Sequence, residues 1–169
     1  MTLGAQRSLA SVLDDQKHFT QALELRQAEL AGAIQAFGEQ DVYVALALVG
    51  LGHHGLASAN LKLAESSFRR ALDVRLKIHP ANHWRIAEVR GLVGVAVLRS
   101  GRLRAAEPDL LAAYEGLRAH RGPAAVETLT AGNYLVELYE RWNRADRAER
   151  YRTGADAAVS RFPSQRRDH

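Results

Sequence analysis

The 169-residue chain contains no cysteine, which removes disulfides, thiolate nucleophiles and cysteine-ligated zinc in one step. Lysine is scarce as well: Lys17, Lys62 and Lys77 are the only three among 23 basic residues, so nearly all the positive charge is arginine. No long apolar run is present. The longest stretch, Val42 to Gly52, falls far short of the roughly 20 residues that a membrane span needs, and no charged-then-apolar leader opens the chain. The expectation is therefore a cytoplasmic protein with no membrane contact. Catalytic signatures are missing too, with no Gly-x-Ser-x-Gly elbow, no phosphate loop ending in Gly-Lys-Ser/Thr, and no His-Arg-Asp or Asp-Phe-Gly pair. Acidic residues are plentiful but scattered over solvated faces. The chain is read as non-enzymatic, with no catalytic, cofactor-binding or metal-ligating residue.

What remains is an ordinary globular balance of 47% apolar and 25% charged residues, enough to bury a core and stay in solution. The net charge of +4 and the isoelectric point near 9.8 raise the question of nucleic acid. The arginines are interleaved with Glu and Asp and form no single stripe, so exposed helix faces explain them better than a nucleic-acid partner does. The one uninterrupted basic segment, residues 161–169, reads as a flexible tail.

The organising feature is periodicity. The dipeptide Ala-Glu occurs at Ala64-Glu65, Ala106-Glu107 and Ala148-Glu149, a constant interval of 42 residues. Surrounding positions keep the register: Phe68 with Leu110, Ala71 with Ala113 and Ala155, Gly52 with Gly94, and Ala59 with Gly101 and Asn143. One interval earlier stand Ala22, Phe19 and Leu9, so four copies are predicted, at about 3–44, 45–86, 87–128 and 129–160 of a single domain spanning 1–160. The first copy is the most degenerate.

Within a copy, apolar residues recur at spacings of three and four, as in Leu92, Val93, Ala96, Val97 and then Leu103, Ala106, Leu110, Leu111, Tyr114, Leu117. That is helical spacing. Gly101 sits between the two runs, where a left-handed residue can end a helix, and Gly122-Pro123 separates one copy from the next, with proline suited to a helix's first turn. Asn82 is a candidate cap for the helix that follows. Each copy thus predicts an antiparallel helix pair. The recurring alanine is expected to press on the glycine of the first helix, and the recurring glutamate to be solvated. The expected fold is all-α, a right-handed α-solenoid of about four such pairs.

This helix pair resembles the tetratricopeptide repeat: Leu48, Leu51, Gly52, Ala64, Phe68 and Ala71 make the best copy, with Leu135, Tyr139, Ala148 and Ala155 in the fourth. The 42-residue interval looks like the longer-helix variant of kinesin light chain. The segment His79-Pro80-Ala81-Asn82-His83-Trp84-Arg85-Ile86-Ala87, with Gly101-Arg102-Leu103 and Leu110 to Leu117, is similar to the tetratricopeptide arrays that follow the kinase domain of many bacterial serine/threonine protein kinases. Membership would imply a non-catalytic scaffold that binds a protein or peptide in a concave groove. The groove asparagines of that family are represented here by Asn133 alone, with Arg7, Val49 and Gly91 at the aligned positions.

By register, the groove would be lined by Arg7, Ser11, Val49, His53, Glu88, Val95, Arg99, Asn133, Glu137 and Arg141. The alternative is an architectural array that self-associates as a homodimer or spaces other domains. A third and weaker reading comes from Gly50-x-Gly52-x-x-Gly55, which matches a dinucleotide fingerprint preceded by the strand-like Val42 to Val49 and followed by Asp73. Its middle glycine belongs to the repeat register, and no strand-helix alternation follows, so it reads as a decoy. His53-His54 and His79/His83 lack further ligands and read as structural, and Trp84, Trp142, Tyr114 and Tyr139 as core aromatics.

Overall fold

The computed structural model describes residues 2–159, and the predicted basic tail at 161–169 lies outside them. Among the described residues the chain forms eight helices and no strand: α1 (Leu3–Asp15), α2 (Phe19–Phe37), α3 (Val42–Ala57), α4 (Leu61–Ile78), α5 (Trp84–Arg99), α6 (Leu103–Arg121), α7 (Val126–Arg141) and α8 (Ala145–Val159). Each helix packs on its neighbours in the chain, and α1 also meets α3 while α5 meets α7. Four helix pairs stacked in sequence make an α-solenoid. No helix among the described residues is long and apolar enough to cross a membrane.

The periodicity fixes the turns inside the pairs. First helices end at residues 15, 57, 99 and 141, and second helices begin at 19, 61, 103 and 145. The pairs begin at Leu3, Val42, Trp84 and Val126, so the intervals 45–86, 87–128 and 129–160 cut into the first turn of α3, α5 and α7. At each turn inside a pair one residue is left-handed: Lys17 (φ 62°), Ala59 (φ 57°), Gly101 (φ 79°) and Asn143 (φ 55°). Backbone bonds from His18 to Leu13, Arg102 to Val97 and Arg144 to Tyr139 complete the reverse-turn cap that such a residue permits.

Two residues predicted at helix starts lie elsewhere, Asn82 as a cap and Pro123 in a first turn. His83, not Asn82, begins α5, its Nδ1 accepting the Arg85 amide at 3.2 Å. Pro123 lies in the turn before α7, whose cap is Ala125.

Paired helices approach closely where the first carries glycine. A Cβ added at Gly52 would lie 2.3 Å from the Phe68 ring, and one at Gly94 2.7 Å from Leu110. The alanine of the Ala-Glu marker meets a different partner: Ala64 backbone nitrogen would be 2.5 Å from a Cβ on Gly55. The glutamate is not simply solvated. Glu65 pairs with Arg102, and Glu107 accepts from Tyr139 Oη and Arg147 at 2.8 Å each, so the marker ties successive pairs together. Burial and the Glu107 bond push the Tyr139 phenol up to about 12. The core runs through these contacts, from Ala33, Val44 and Leu48 to Leu98, Leu110, Leu135 and Tyr139.

The left-handed slot gives a direct test. An L residue with a Cβ costs about 1–2 kcal/mol there, partly offset by the greater unfolded-state freedom of glycine. Ala59→Gly and Lys17→Gly are therefore expected to stabilise the chain by about 0.5–1 kcal/mol each in urea unfolding, and Gly101→Ala to destabilise it by a similar amount. Equal midpoints for wild type and all three variants would remove the slot from the account of the turns.

Candidate functional site

The first helices of successive pairs stand side by side and carry all ten predicted groove residues. Ser11, His53, Arg99, Asn133 and Arg141 are exposed, and Arg7, Glu88 and Glu137 are half-buried. Val95 does not belong with them: it is 4% exposed and packs inside the main core, so it offers a partner no surface. Val49 is half-buried and also packs against the core.

Toward the carboxyl end of this face, Arg99 donates to Glu137 at 2.9 Å. Arg141 reaches the Leu98 carbonyl at 3.1 Å and Glu137 at 3.5 Å, closing a carbonyl at the end of α5 with a side chain from the next pair. Glu88 sits 3.6 Å from Arg85. Asn133 is exposed and makes no hydrogen bond among the described residues. His53 rests edge-on against the Phe68 ring at 5.4 Å between centroids.

Toward the amino end, the face rests on buried charge. Arg7 donates to Glu29 at 2.7 Å, and Ser11 Oγ accepts from Arg26 at 3.0 Å. Arg26 also lies 3.3 Å from Asp14, whose other oxygen is 2.6 Å from His54 Nδ1. Arg26 is 4% exposed and Glu29 fully buried. Reading the sequence for groove positions alone passed over this network, although the signal was present: Arg26 stands one interval before Phe68, and Glu29 one interval before Ala71. Asp14 and His54 likewise align with Leu98 and Ala96 of the third copy, both buried. Charge occupies what elsewhere is core.

A second polar cluster lies where α4 hands over to α5. Arg75, 2% exposed, donates to His79 Nε2 at 3.1 Å. The His79 and His83 rings stack at 4.2 Å with 6° between their planes, and His83 stacks in turn on Trp84 at 5.9 Å. The guanidiniums of Arg85 and Arg121 lie over the indole at 4.3 and 4.9 Å. Trp84 is thus half-buried between cations as well as packed beside Ala87 and Leu117. Desolvation, then the charges of His83, Arg75 and Arg85, hold the His79 imidazole below its ordinary value, consistent with its acceptor role. No group of three or more His, Cys, Asp or Glu side chains able to hold a metal occurs among the described residues.

The dinucleotide fingerprint is overturned by the backbone. Val42 to Val49 is helical, and Gly50, Gly52 and Gly55 lie in the body of the same helix, α3. Each glycine faces protein: Gly50 the Arg26 guanidinium, Gly52 the Phe68 ring, Gly55 the Ala64 backbone. A phosphate cradle needs free amides at a helix start, and these amides are inside one.

No family model matches the sequence, and no curated protein matches it. Solved structures do match in three dimensions. BtubC (BKLC) from P. vanneervenii superposes with a TM-score of 0.82 at 22% identity, over 98% of this chain and 67% of that one. A point variant of a Podosopora anserina protein of kinesin-light-chain type, with nearly identical TPR-like repeats, gives 0.83 at 15% identity over 99% and 78%. A second structure of that repeat protein gives 0.62 at 12% identity over 97% of each chain. At these identities the agreement is one of fold: the chain has the fold of these arrays of TPR-like helix pairs.

The buried charge of the first pair is open to measurement. Removing one member of a buried ion pair leaves its partner uncompensated and costs about 3–5 kcal/mol, whereas replacing the whole network by apolar residues of fitting shape is neutral or stabilising. Glu29→Ala alone is expected to lower stability by about 3 kcal/mol. The combined variant Asp14→Leu, Arg26→Leu, Glu29→Ala, His54→Ala, which installs the residues of the third copy, is expected to unfold within about 1 kcal/mol of wild type or above it. Additive losses in chemical denaturation would show that the charges hold the pair together.

Proposed function

We propose that the chain is a non-catalytic interaction module that binds a protein or peptide segment along the face built by α1, α3, α5 and α7. The observation that carries this reading is the inequality of hydrogen-bonding capacity on that face. Arg7, Ser11, Arg99, Glu137 and Arg141 are engaged with their own protein, while the side chains of exposed Asn133 and His53 make no hydrogen bond among the described residues, His53 resting on an aromatic edge within reach of the Arg26 charge. An amide side chain has both donor and acceptor, which suits the backbone of an extended peptide. The similarity of roughly residues 79–152 to kinase-associated arrays supports a setting in a bacterial signalling kinase or a free-standing relative of one. Cofactors play no part in this reading, and nucleic acid is disfavoured by the pairing of the arginines with carboxylates.

A peptide selected on the immobilised protein from a random library is expected to bind about tenfold more weakly to Asn133→Ala and to His53→Ala, each loss corresponding to about 1.4 kcal/mol, with helicity unchanged by circular dichroism. Selected peptides that bind both variants as well as wild type would place recognition on another face. Arg99 and Arg141 make poorer tests, because reversing them also breaks the tie between α5 and α7.

One observation favours a second, architectural reading. Leu51, Val93 and Leu135 are 7, 0 and 0% exposed, but Leu9 at the same register is 41% exposed. Val12 is 49% exposed where His54, Ala96 and Leu138 are buried. A further helix pair, or a second copy of this chain, stacked on α1 would cover them. Light scattering separates the cases: concentration-dependent dimers abolished by Leu9→Glu with Val12→Glu support self-association, and a monomer at about 0.1 mM rejects it.

A further inference from the structure

Two arginines are buried among the described residues, and they are treated differently. Arg26 has Asp14 at 3.3 Å and Glu29 at 3.9 Å, so its charge is answered by carboxylates. Arg75, more deeply buried at 2% exposure, has none within 4.0 Å among the described residues. Its one side-chain partner is the neutral acceptor His79 Nε2, and its Nε, like that of Arg26, has no hydrogen-bond partner. It stands where the aligned copies carry Ala33 and Leu117, so the repeat itself does not require a cation there.

The surroundings add positive charge. Arg85 acts on Arg75 unfavourably and Glu88 favourably, but Glu88 lies beyond 4.0 Å of Arg75 and 3.6 Å from Arg85. Arg121 approaches across Trp84 and is held by Glu127 at 2.9 Å. Three guanidiniums therefore share two carboxylates at the α4–α5 junction, with His79 and His83 as the remaining titratable groups. A buried cation without a counterion is destabilising, and a guanidinium fork matches the paired oxygens of an oxyanion in charge and geometry.

We infer that the α4–α5 junction is an oxyanion-binding site, in which a phosphate or carboxylate group binds the Arg75 and Arg85 guanidiniums beside the His79–His83 stack. The half-buried Arg85 and His79 form its solvent side, and Arg75 its floor. This inference is independent of peptide binding on the first-helix face, since neither Asn133 nor His53 belongs to the junction.

Trp84 is a built-in reporter, because His83, Arg85 and Arg121 all contact its ring. The experiment is a fluorescence titration of full-length protein in a Trp142→Phe background with inorganic phosphate, ionic strength being held constant with chloride. The expected result is a saturable change in Trp84 emission that chloride does not reproduce, weakened at least tenfold by Arg75→Met and several-fold by Arg85→Ala. A response no different from chloride, or an unchanged titration in Arg75→Met, overturns the site. Should Arg75→Met fail to fold, the partly exposed Arg85→Ala decides: unchanged affinity there also overturns it. Acetate and phosphoserine amide titrated in parallel identify the group bound. Acetate matching phosphate assigns a carboxylate, phosphate alone a free ion, and the amide binding best a phosphorylated side chain; all three support the site.

Discussion

The close approach of the two helices in each pair is the constraint on which the rest of the solenoid depends. Phe68 and Leu110 lie directly against α3 and α5 because Gly52 and Gly94 leave the space that a side chain would fill. That contact sets how deep each second helix sits, and therefore which residues of the first helix are left outside. Val95 lies in the core, while Arg99, one turn further along α5, is exposed. The surface available to a partner is a by-product of how tightly the pairs close.

The first pair fills the Phe68 position with different chemistry, and the contact it makes there is to the next pair. Arg26 occupies the Phe68 position, and its guanidinium packs on Gly50, where a Cβ would come within 2.8 Å of a terminal nitrogen. A flat cation stacked on backbone can replace an aromatic ring sterically, but it then requires Asp14 and Glu29 to be buried with it. One substitution at a core position thus recruits charged residues on two helices. The groove residues Arg7 and Ser11 are drawn into that network as its outermost members, which is why they are less available to a partner than their register implies.

Periodicity made most of the architecture legible. A marker recurring every 42 residues located the helix pairs, and the alignment of Ala59 with Gly101 and Asn143 located the turns, all of which are left-handed. What it could not rank was burial within one register, because a helix face turns gradually from groove to core and neighbouring positions share the same spacing. Val95 and Ala64 were misplaced on those grounds, the first by facing the core and the second by meeting Gly55 in place of Gly52. Local motif matching failed for a related reason: Gly50-x-Gly52-x-x-Gly55 has loop composition, but each glycine answers a packing demand from another helix.

In a repeat array the consensus positions build the scaffold, so the informative residues are those that depart from it without a structural need. Arg26 departs, and two carboxylates lie within ion-pair distance of it, Asp14 and Glu29. Arg75 departs in the same way, at a position that alanine and leucine fill in other copies, and no carboxylate among the described residues lies within ion-pair distance of it, Glu88 acting only from further away. The cost of burying a guanidinium is the same in both places, yet only one has its counterions supplied by the fold. Comparing aligned positions across copies of one chain thus separates a polar substitution that the solenoid has absorbed from one that leaves a charge for an external group to satisfy.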